Sequence, residues 1–326
     1  MSWQWALALT MPAVVSFAVI TLVRRSHWVA RLEDWPNERS LHTVPTPRVG
    51  GLGVMAAALP VAAFFANAPL AALIACAAIL AVVSFVDDRQ SLPIKVRLPA
   101  HFAAAAVAVL AIASPAPLHS GLNAIEAGIS ILGLVWMTNL FNFMDGSDGL
   151  AGGMAAIGFS TFALAAAQAG DLPLALASIA IASASAVFLA FNFPPARVFL
   201  GDAGSIPLGF LAGAVGFYGA ISGVWPLWFP LLVFSPFIAD ASVTLAGRVL
   251  RAEPFWRAHR THYYQRLVLA GLGPRRLALS GYACMALTAA SALLALHSGE
   301  SIRLGIILVW AAAFALLFLA IERRAP

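Results

Sequence analysis

Runs of apolar residues, each close to the length needed to cross a bilayer, recur from one end of the chain to the other and leave room for few other folds. They occupy residues 3–23, 51–66, 70–86, 98–113, 127–144, 150–169, 172–191, 205–220, 224–246, 277–296 and 304–321. One crossing takes roughly 20 apolar residues, and in lipid a helix satisfies its own backbone hydrogen bonds within a single segment. Residues 51–86 are too many for one crossing and are read as two, divided at Asn67-Ala68-Pro69. Composition agrees: 61% of the 326 residues are hydrophobic and only 10% are charged, against about 25% charged in soluble domains. The expectation is an all-α, polytopic membrane bundle of about 11 transmembrane helices, forming a single domain over residues 1–326.

Charge gives that count a test. Eighteen of the 19 Lys and Arg residues fall after odd-numbered spans or at the C-terminus, and only Arg303 falls on the other side. The positive-inside bias makes the basic side cytoplasmic, with the N-terminus outside and the C-terminus inside. The same bias, together with anionic headgroups, accounts for a pI near 9.9 without nucleic acid. Of the 14 acidic residues only Glu126, Asp171 and Glu300 lie outside, so both charge signs converge on the cytoplasmic face. Cys76 and Cys284 sit in apolar spans and imply neither a disulfide framework nor a zinc site. No basic residue precedes the first apolar run and no cleavage site follows it, which reads as a retained span.

Polar groups at membrane depth are costly to keep and are functional candidates by default. Asp87-Asp88 ends the third span, followed by Arg89, Lys95 and Arg97. Adjacent carboxylates repel, and a helix C-terminus disfavours anions, so the pair suits a base or a metal-linked group better than an acidic helix end. Asn139, Asn142, Asp145 and Asp148 recur three residues apart and share one face if the helix continues; an Asp-Gly turn explains one Asp but poorly explains all four. In residues 192–205, Asp202 precedes a new helix whose amides suit a phosphate while its carboxylate suits Mg²⁺. A simple N-cap is the rival there, with Asn192 and Arg197 favouring function and Phe199 available to stack on a base. His259 and His262 lack a third histidine nearby, and Arg260 and its neighbours point to phosphate binding rather than a metal. A basic segment touching headgroups competes with that reading. In the first cytoplasmic loop Arg39, His42 and Arg48 supply donors along a path shaped by prolines and glycines. Asp240, in the ninth span, reads as a hydrogen-bonding group of the bundle.

Pro-Asn-x-Arg-Ser-x-His from residue 36, the Asp87-Asp88 pair, Asn-x-x-Asp-Gly-x-x-Gly-Leu from 142, Phe-Leu-Gly-Asp-x-Gly-Ser from 199 and His-Arg-x-His-x-Tyr-Gln from 259 follow in that order. Over nearly the whole chain this set resembles the polyprenyl-phosphate N-acetylhexosamine-1-phosphate transferases, the MraY/WecA-like superfamily. The resemblance implies an eleven-span bundle in a bacterial inner membrane, with a cytoplasmic site using Mg²⁺ or alternatively Mn²⁺. It implies that Asp202 and Asn142 hold the metal on the pyrophosphate of a UDP-N-acetylhexosamine. Asp145, Asp148, Asn139 and Asn192 would surround the donor, with Phe199 on uracil. Asp87 and Asp88 would lie near the phosphate of the polyprenyl acceptor, while Lys95, Arg39, His42, His259, Arg260 and His262 bind phosphates or sugar. With Asp87, Asp88, His259 and His262 as the catalytic set, the acceptor oxygen would attack the sugar-linked phosphorus directly, assisted by Asp87 or Asp88, and release UMP, initiating an O-antigen or other envelope glycan. No nucleic acid partner is implied, and a homodimer is left open. The cell-wall translocase of this superfamily carries three histidines and then an acidic residue where this chain has His259-Arg260-Thr-His262, which argues against a muramoyl-pentapeptide donor.

Rival readings meet specific obstacles. An intramembrane aspartyl protease needs Gly where Phe199 stands and a Tyr-Asp pair that the chain lacks. A CDP-alcohol phosphotransferase needs Ala-Arg after its Asp-Gly. A transporter of a phosphorylated substrate would place charges along a route through the bilayer, whereas here they gather at one face.

Overall fold

The computed structural model describes residues 3–27, 29–36, 44–113, 122–253 and 259–323. Its helices, in chain order, are α1 (Trp3–Arg25), α2 (Gly50–Phe65), α3 (Ala68–Gln90), α4 (Ile94–Ala113), α5 (Ala124–Phe143), α6 (Leu150–Ala169), α7 (Leu172–Asn192), α8 (Asp202–Ile221), α9 (Trp228–Val233), α10 (Ser235–Leu250), α11 (Tyr263–Leu267), α12 (Pro274–Leu296) and α13 (Glu300–Glu322). Between α1 and α2 a short antiparallel pair, β1 (Glu33–Asp34) and β2 (Thr46–Pro47), sets Glu33 opposite Pro47 and Asp34 opposite Thr46. Among the described residues nine helices, α1, α3 to α8, α12 and α13, are long and apolar enough to cross a bilayer. The chain is a polytopic helical membrane protein.

Two of the expected crossings differ in form. α2 has only 16 residues, about 24 Å at 1.5 Å per residue, short of a hydrocarbon core of ~30 Å. The ninth is not one helix: residues 224–227 lie outside it, and the helical path breaks at Phe234 between α9 and α10. Pro236, at the start of α10, has no N–H to continue the ladder, a break that hydropathy alone does not register.

Burial sorts the helices into a protein-packed interior and a lipid-facing rim. In α8, 78% of the most apolar window is buried by protein, against 11% in the more apolar α13. α7 packs on α6, α2 and α1, while α8 packs on α3 and α5. Lipid is as apolar as leucine, so helices associate where small residues let backbones approach. Gly209 of α8 is such a place: a Cβ there would stand 2.7 Å from the Met137 carbonyl oxygen and 2.9 Å from that of Thr138. This contact sets the α8 and α5 backbones together on the way to Asp202 and Asn142.

The start of α8 is also sutured to the chain entering α2. Phe199 N–H donates to Pro47 O at 2.9 Å, Gly50 N–H to Phe199 O at 2.9 Å and Gly51 N–H to Leu200 O at 2.8 Å. A Cβ on Gly51 would lie 2.6 Å from the Gly204 Cα and 2.7 Å from the Ala203 carbonyl carbon. Backbone cannot rotate away as a side chain does, so Gly51→Ala is expected to displace the first turn of α8 and cost about 1–3 kcal/mol, the usual range for overpacking. A lowered melting midpoint of the purified protein in detergent is the readout; an unchanged midpoint would mean the α2–α8 contact yields freely.

Candidate active site

The turn between α5 and α6 carries the densest polar cluster. α5 does not continue as the three-residue spacing required: the Met144 N–H bonds the Leu140 and Phe141 carbonyls, and Asp145 N–H bonds Asn142 O at 3.1 Å, tightening the helix to its end. Tyr264 of α11 closes this terminus from outside. Its hydroxyl donates to Phe143 O at 2.9 Å and occupies the space a Gly146 side chain would need. Asn139 and Asn142 therefore project from helix, whereas Asp145 and Asp148 lie in the turn. Asp148 accepts from Ala196 N–H at 2.9 Å. Asn192, 4% exposed, accepts from Gly149 N–H at 2.8 Å and donates to Val198 O at 2.9 Å. These two side chains pin residues 193–200 against the α5–α6 turn.

α8 begins at Asp202, with Gly201 before it at φ +72°, a conformation glycine adopts without steric cost. The simple capping role considered for Asp202 passes to another residue. Asp88 accepts from the Asp202 N–H at 3.2 Å and the Ala203 N–H at 3.0 Å, satisfying donors that the first turn leaves open. Arg48 stands 3.5 Å from Asp88 and 2.6 Å from Asp34. Freed from capping, Asp202 accepts from Asn142 Nδ2 at 2.8 Å, and that same nitrogen lies 2.9 Å from Ser205 Oγ. Asp87 turns the other way: it accepts from Leu92 N–H at 2.6 Å and from Arg97 at 2.7 Å, and Arg97 also reaches to 3.8 Å of Asp202. Burial, then the carboxylates of Asp202 and Asp88, push the Asp145 carboxyl well above its usual range, with Arg48 opposing the shift. This end of the bundle holds more negative than positive charge around Asp145.

The histidine segment closes the site from α11. His262 is 2% exposed and its Nδ1 lies 3.2 Å from Asp240 Oδ1; a carboxylate only accepts, so Nδ1 carries a proton and Nε2 is the ring nitrogen left for a ligand. Asp240 also accepts from Tyr263 N–H at 3.0 Å and Tyr264 N–H at 2.8 Å, so this one intramembrane carboxylate caps α11 and orients His262. His259 stacks on His262 with centroids 5.0 Å apart. Burial first, then His262 and Arg248, lower the His259 pKa to about 4. The unfolded ring titrates near 6.5, so between about 6.5 and 4 the unfolded chain binds more protons. This group's contribution to stability is complete above 6.5 and fades as pH falls toward 4. Ring signals followed by NMR are expected to titrate near 4 without ligand and to move up when a phosphate binds; a free-protein midpoint above 6 would contradict the burial.

These groups face a cleft of about 660 Å³. Asp87, Asn139, Asn142, Asp202, His259 and His262 all line it. Asp88 does not, and neither do the half-buried Asp145, Asp148 and Phe199 or the buried Asn192. Lys95 and Arg260 are exposed and are not among its lining residues, whereas Arg97, two residues beyond Lys95, is. Arg39 and His42 lie outside the described residues. The cleft also contains His101, 5% exposed with Nδ1 unpartnered, and Gln265. A histidine within the apolar run 98–113 was itself a signal of expense at membrane depth.

Among the described residues no three His, Cys, Asp or Glu side chains are arranged to hold a metal ion. Mg²⁺ seldom uses such a cage; it takes one or two carboxylates, waters and substrate phosphates. Asp202, whose side chain is 31% exposed, stands beside the Asn142 amide in a region of surplus negative charge. Hard oxygens in such a field fit a hard divalent ion.

Comparison with known proteins gives a consistent picture. A model described as glycosyl transferase family 4 matches residues 70–220, the stretch that holds Asp87, Asn142, Asp145 and Asp202. A "Probable undecaprenyl-phosphate N-acetylglucosaminyl 1-phosphate transferase" of Bacillus subtilis is 28% identical, covering 76% of this chain and 73% of the relative. An "Undecaprenyl-phosphate alpha-N-acetylglucosaminyl 1-phosphate transferase" of Yersinia pestis is 28% identical over 93% of this chain and 87% of its own length. A "Decaprenyl-phosphate N-acetylglucosaminephosphotransferase" of Mycolicibacterium smegmatis is 30% identical over 76% of this chain and 71% of the relative. With the transmembrane helices of the bundle and the likeness running across the cleft, this chain belongs to glycosyl transferase family 4, among its MraY/WecA-like members.

Proposed function

We propose that the protein transfers N-acetylhexosamine-1-phosphate from a UDP-sugar to a polyprenyl phosphate and releases UMP. The observation that carries this reading is the mixed lining of the cleft. Asp87, Arg97, Asn142, Asp202, His259 and His262 share it with Val83, Leu98, Leu132, Val135 and Trp136. A water-soluble diphosphate and a phosphate on a hydrocarbon chain both find their chemistry there. N-acetylglucosamine in the relatives' names favours that sugar.

The acceptor phosphate seats against Arg97, which Asp87 holds at 2.7 Å. A phosphate monoester is largely ionised near neutral pH, its second pKa being about 6, so its oxygen attacks the sugar-linked phosphorus without a strong base. The bond from that phosphorus to the UMP oxygen breaks and UMP departs with the electron pair. Asp202 and Asn142 would hold Mg²⁺, which when bound offsets charge on the pyrophosphate. His262, oriented by Asp240, and His259 donate to or accept from the donor's phosphates and sugar. Asp145, Asp148 and Asn192 shape the nucleotide side, with Phe199 on uracil. Asp88 is assigned to holding the first turn of α8 rather than to the acceptor. The site faces the cytoplasm of a bacterial inner membrane, and the product begins a lipid-linked envelope glycan such as O-antigen.

Purified protein with undecaprenyl phosphate, Mg²⁺ and a panel of UDP-N-acetylhexosamines is expected to release UMP only when donor and acceptor are both present. UMP release without acceptor, together with a phosphorylated enzyme, would replace direct attack by a two-step route. Silence with every donor would remove the transferase reading.

A further inference from the structure

A second recess, of about 440 Å³, opens between α1 and α7 and shares no lining residue with the cleft. Three of its lining residues are arginines, Arg24, Arg25 and Arg197, and none is acidic. Arg24 and Arg25 lie in the last turn of α1, and among the described residues neither has a carboxylate partner. Arg197 comes from the loop after α7, held by donation to Ala190 O at 2.5 Å and by the Phe191 ring 5.8 Å below its guanidinium. The Phe17 and Phe191 rings, 5.4 Å apart, form an apolar side.

Thr21 adds an independent sign. A helical threonine ordinarily returns its hydroxyl to the carbonyl four residues back, as Thr10 does on this helix, to Ala6 O at 2.7 Å. Thr21 is a lining residue of the recess, and its hydroxyl is buried there without a partner, a state that costs free energy until an acceptor arrives. Phe17, Thr21, Arg24 and Arg25 share one face of α1, so the recess is graded from aromatic to hydroxyl to cationic toward the end of a membrane-crossing helix. A small free anion has no use for the aromatic part. An amphiphile with a phosphate at its polar end matches all three zones.

We propose that this recess is a binding site for an anionic phospholipid, its phosphate held by Arg24, Arg25, Arg197 and the Thr21 hydroxyl and its acyl chain laid along Phe17 and Phe191. The proposal is independent of the transferase reading. It is tested on delipidated, purified protein by native mass spectrometry with phosphatidylglycerol, phosphatidylcholine or inorganic phosphate added. One phosphatidylglycerol should be retained in preference to phosphatidylcholine and should resist displacement by inorganic phosphate. The doubly substituted R24Q/R25Q protein should bind it about thirtyfold more weakly, the weight of two basic groups at a lipid surface. Thr21→Val should weaken retention while leaving the melting midpoint of the delipidated protein equal or higher, since it deletes an unsatisfied buried group; a misfolded variant would instead melt earlier. Equal retention of the two lipids, retention indifferent to both variants, or displacement by inorganic phosphate would each overturn the site.

Discussion

Asp202→Asn is expected to lower the rate of UMP release at saturating substrates by at least about a thousandfold, the scale of losing several kcal/mol of charge stabilisation at about 1.36 kcal/mol per tenfold. The substitution preserves shape. Asn142 Nδ2 donates to one oxygen of Asp202 at 2.8 Å, and an amide oxygen at residue 202 still accepts that bond. The contacts that start α8 use the backbone N–H groups of Asp202 and Ala203 rather than this side chain. What disappears is a negative charge 3.8 Å from Arg97, in the position proposed to hold a divalent ion. A melting curve close to that of the unsubstituted protein, with rate lost, is the expected pair of results. Turnover within tenfold of normal would discard the metal assignment.

Asp88→Ala is expected to act chiefly on stability, by about 2–4 kcal/mol. The lost carboxylate leaves two backbone donors at the start of α8 without their acceptor and removes the farther of the two carboxylates beside Arg48, which keeps Asp34, and donors orphaned in a buried place cost more than the bond they lose. Asp88→Asn retains one acceptor oxygen but turns a donor toward one of the two N–H groups, so it should fall between. Asp87→Asn makes the contrast: Asp87 lines the cleft beside Arg97, and its loss should appear in turnover more than in melting. Unfolding in graded denaturant, read alongside UMP release, separates the two. Equal stability of Asp88→Ala and the parent protein would show that α8 does not depend on this cap.

The neighbouring aspartates also mark how far the sequence could be read. Repulsion between them and their place at a helix end singled out the pair, but nothing local assigned different tasks to each. Asp202 posed the same difficulty, because an Asp before a helix is an ordinary cap until another residue is seen to cap that helix in its place. Asp240 looked like a bundle hydrogen bond, and only the arrival of α11 showed that it orients His262 and receives two backbone N–H groups. His101 was visible as a polar residue in an apolar run, yet its membership of the cleft required α3, α4 and α5 to be assembled around it. The break at Phe234 was foreshadowed by Pro236, whose signal was outweighed by the hydropathy of its surroundings.

By itself the sequence determined the helical membrane architecture, because twenty consecutive apolar residues placed in lipid must pair their backbone groups internally. It also determined which polar residues were too costly at that depth to be there without use. Tertiary structure alone decided which carboxylate faces which partner: successive residues on a helix point about 100° apart, so the packing of α3 on α8 sends Asp88 to the backbone and Asp87 to the cleft. That orientation depends on glycine contacts and hydrogen bonds between segments more than a hundred residues apart, information that no local pattern of residues contains.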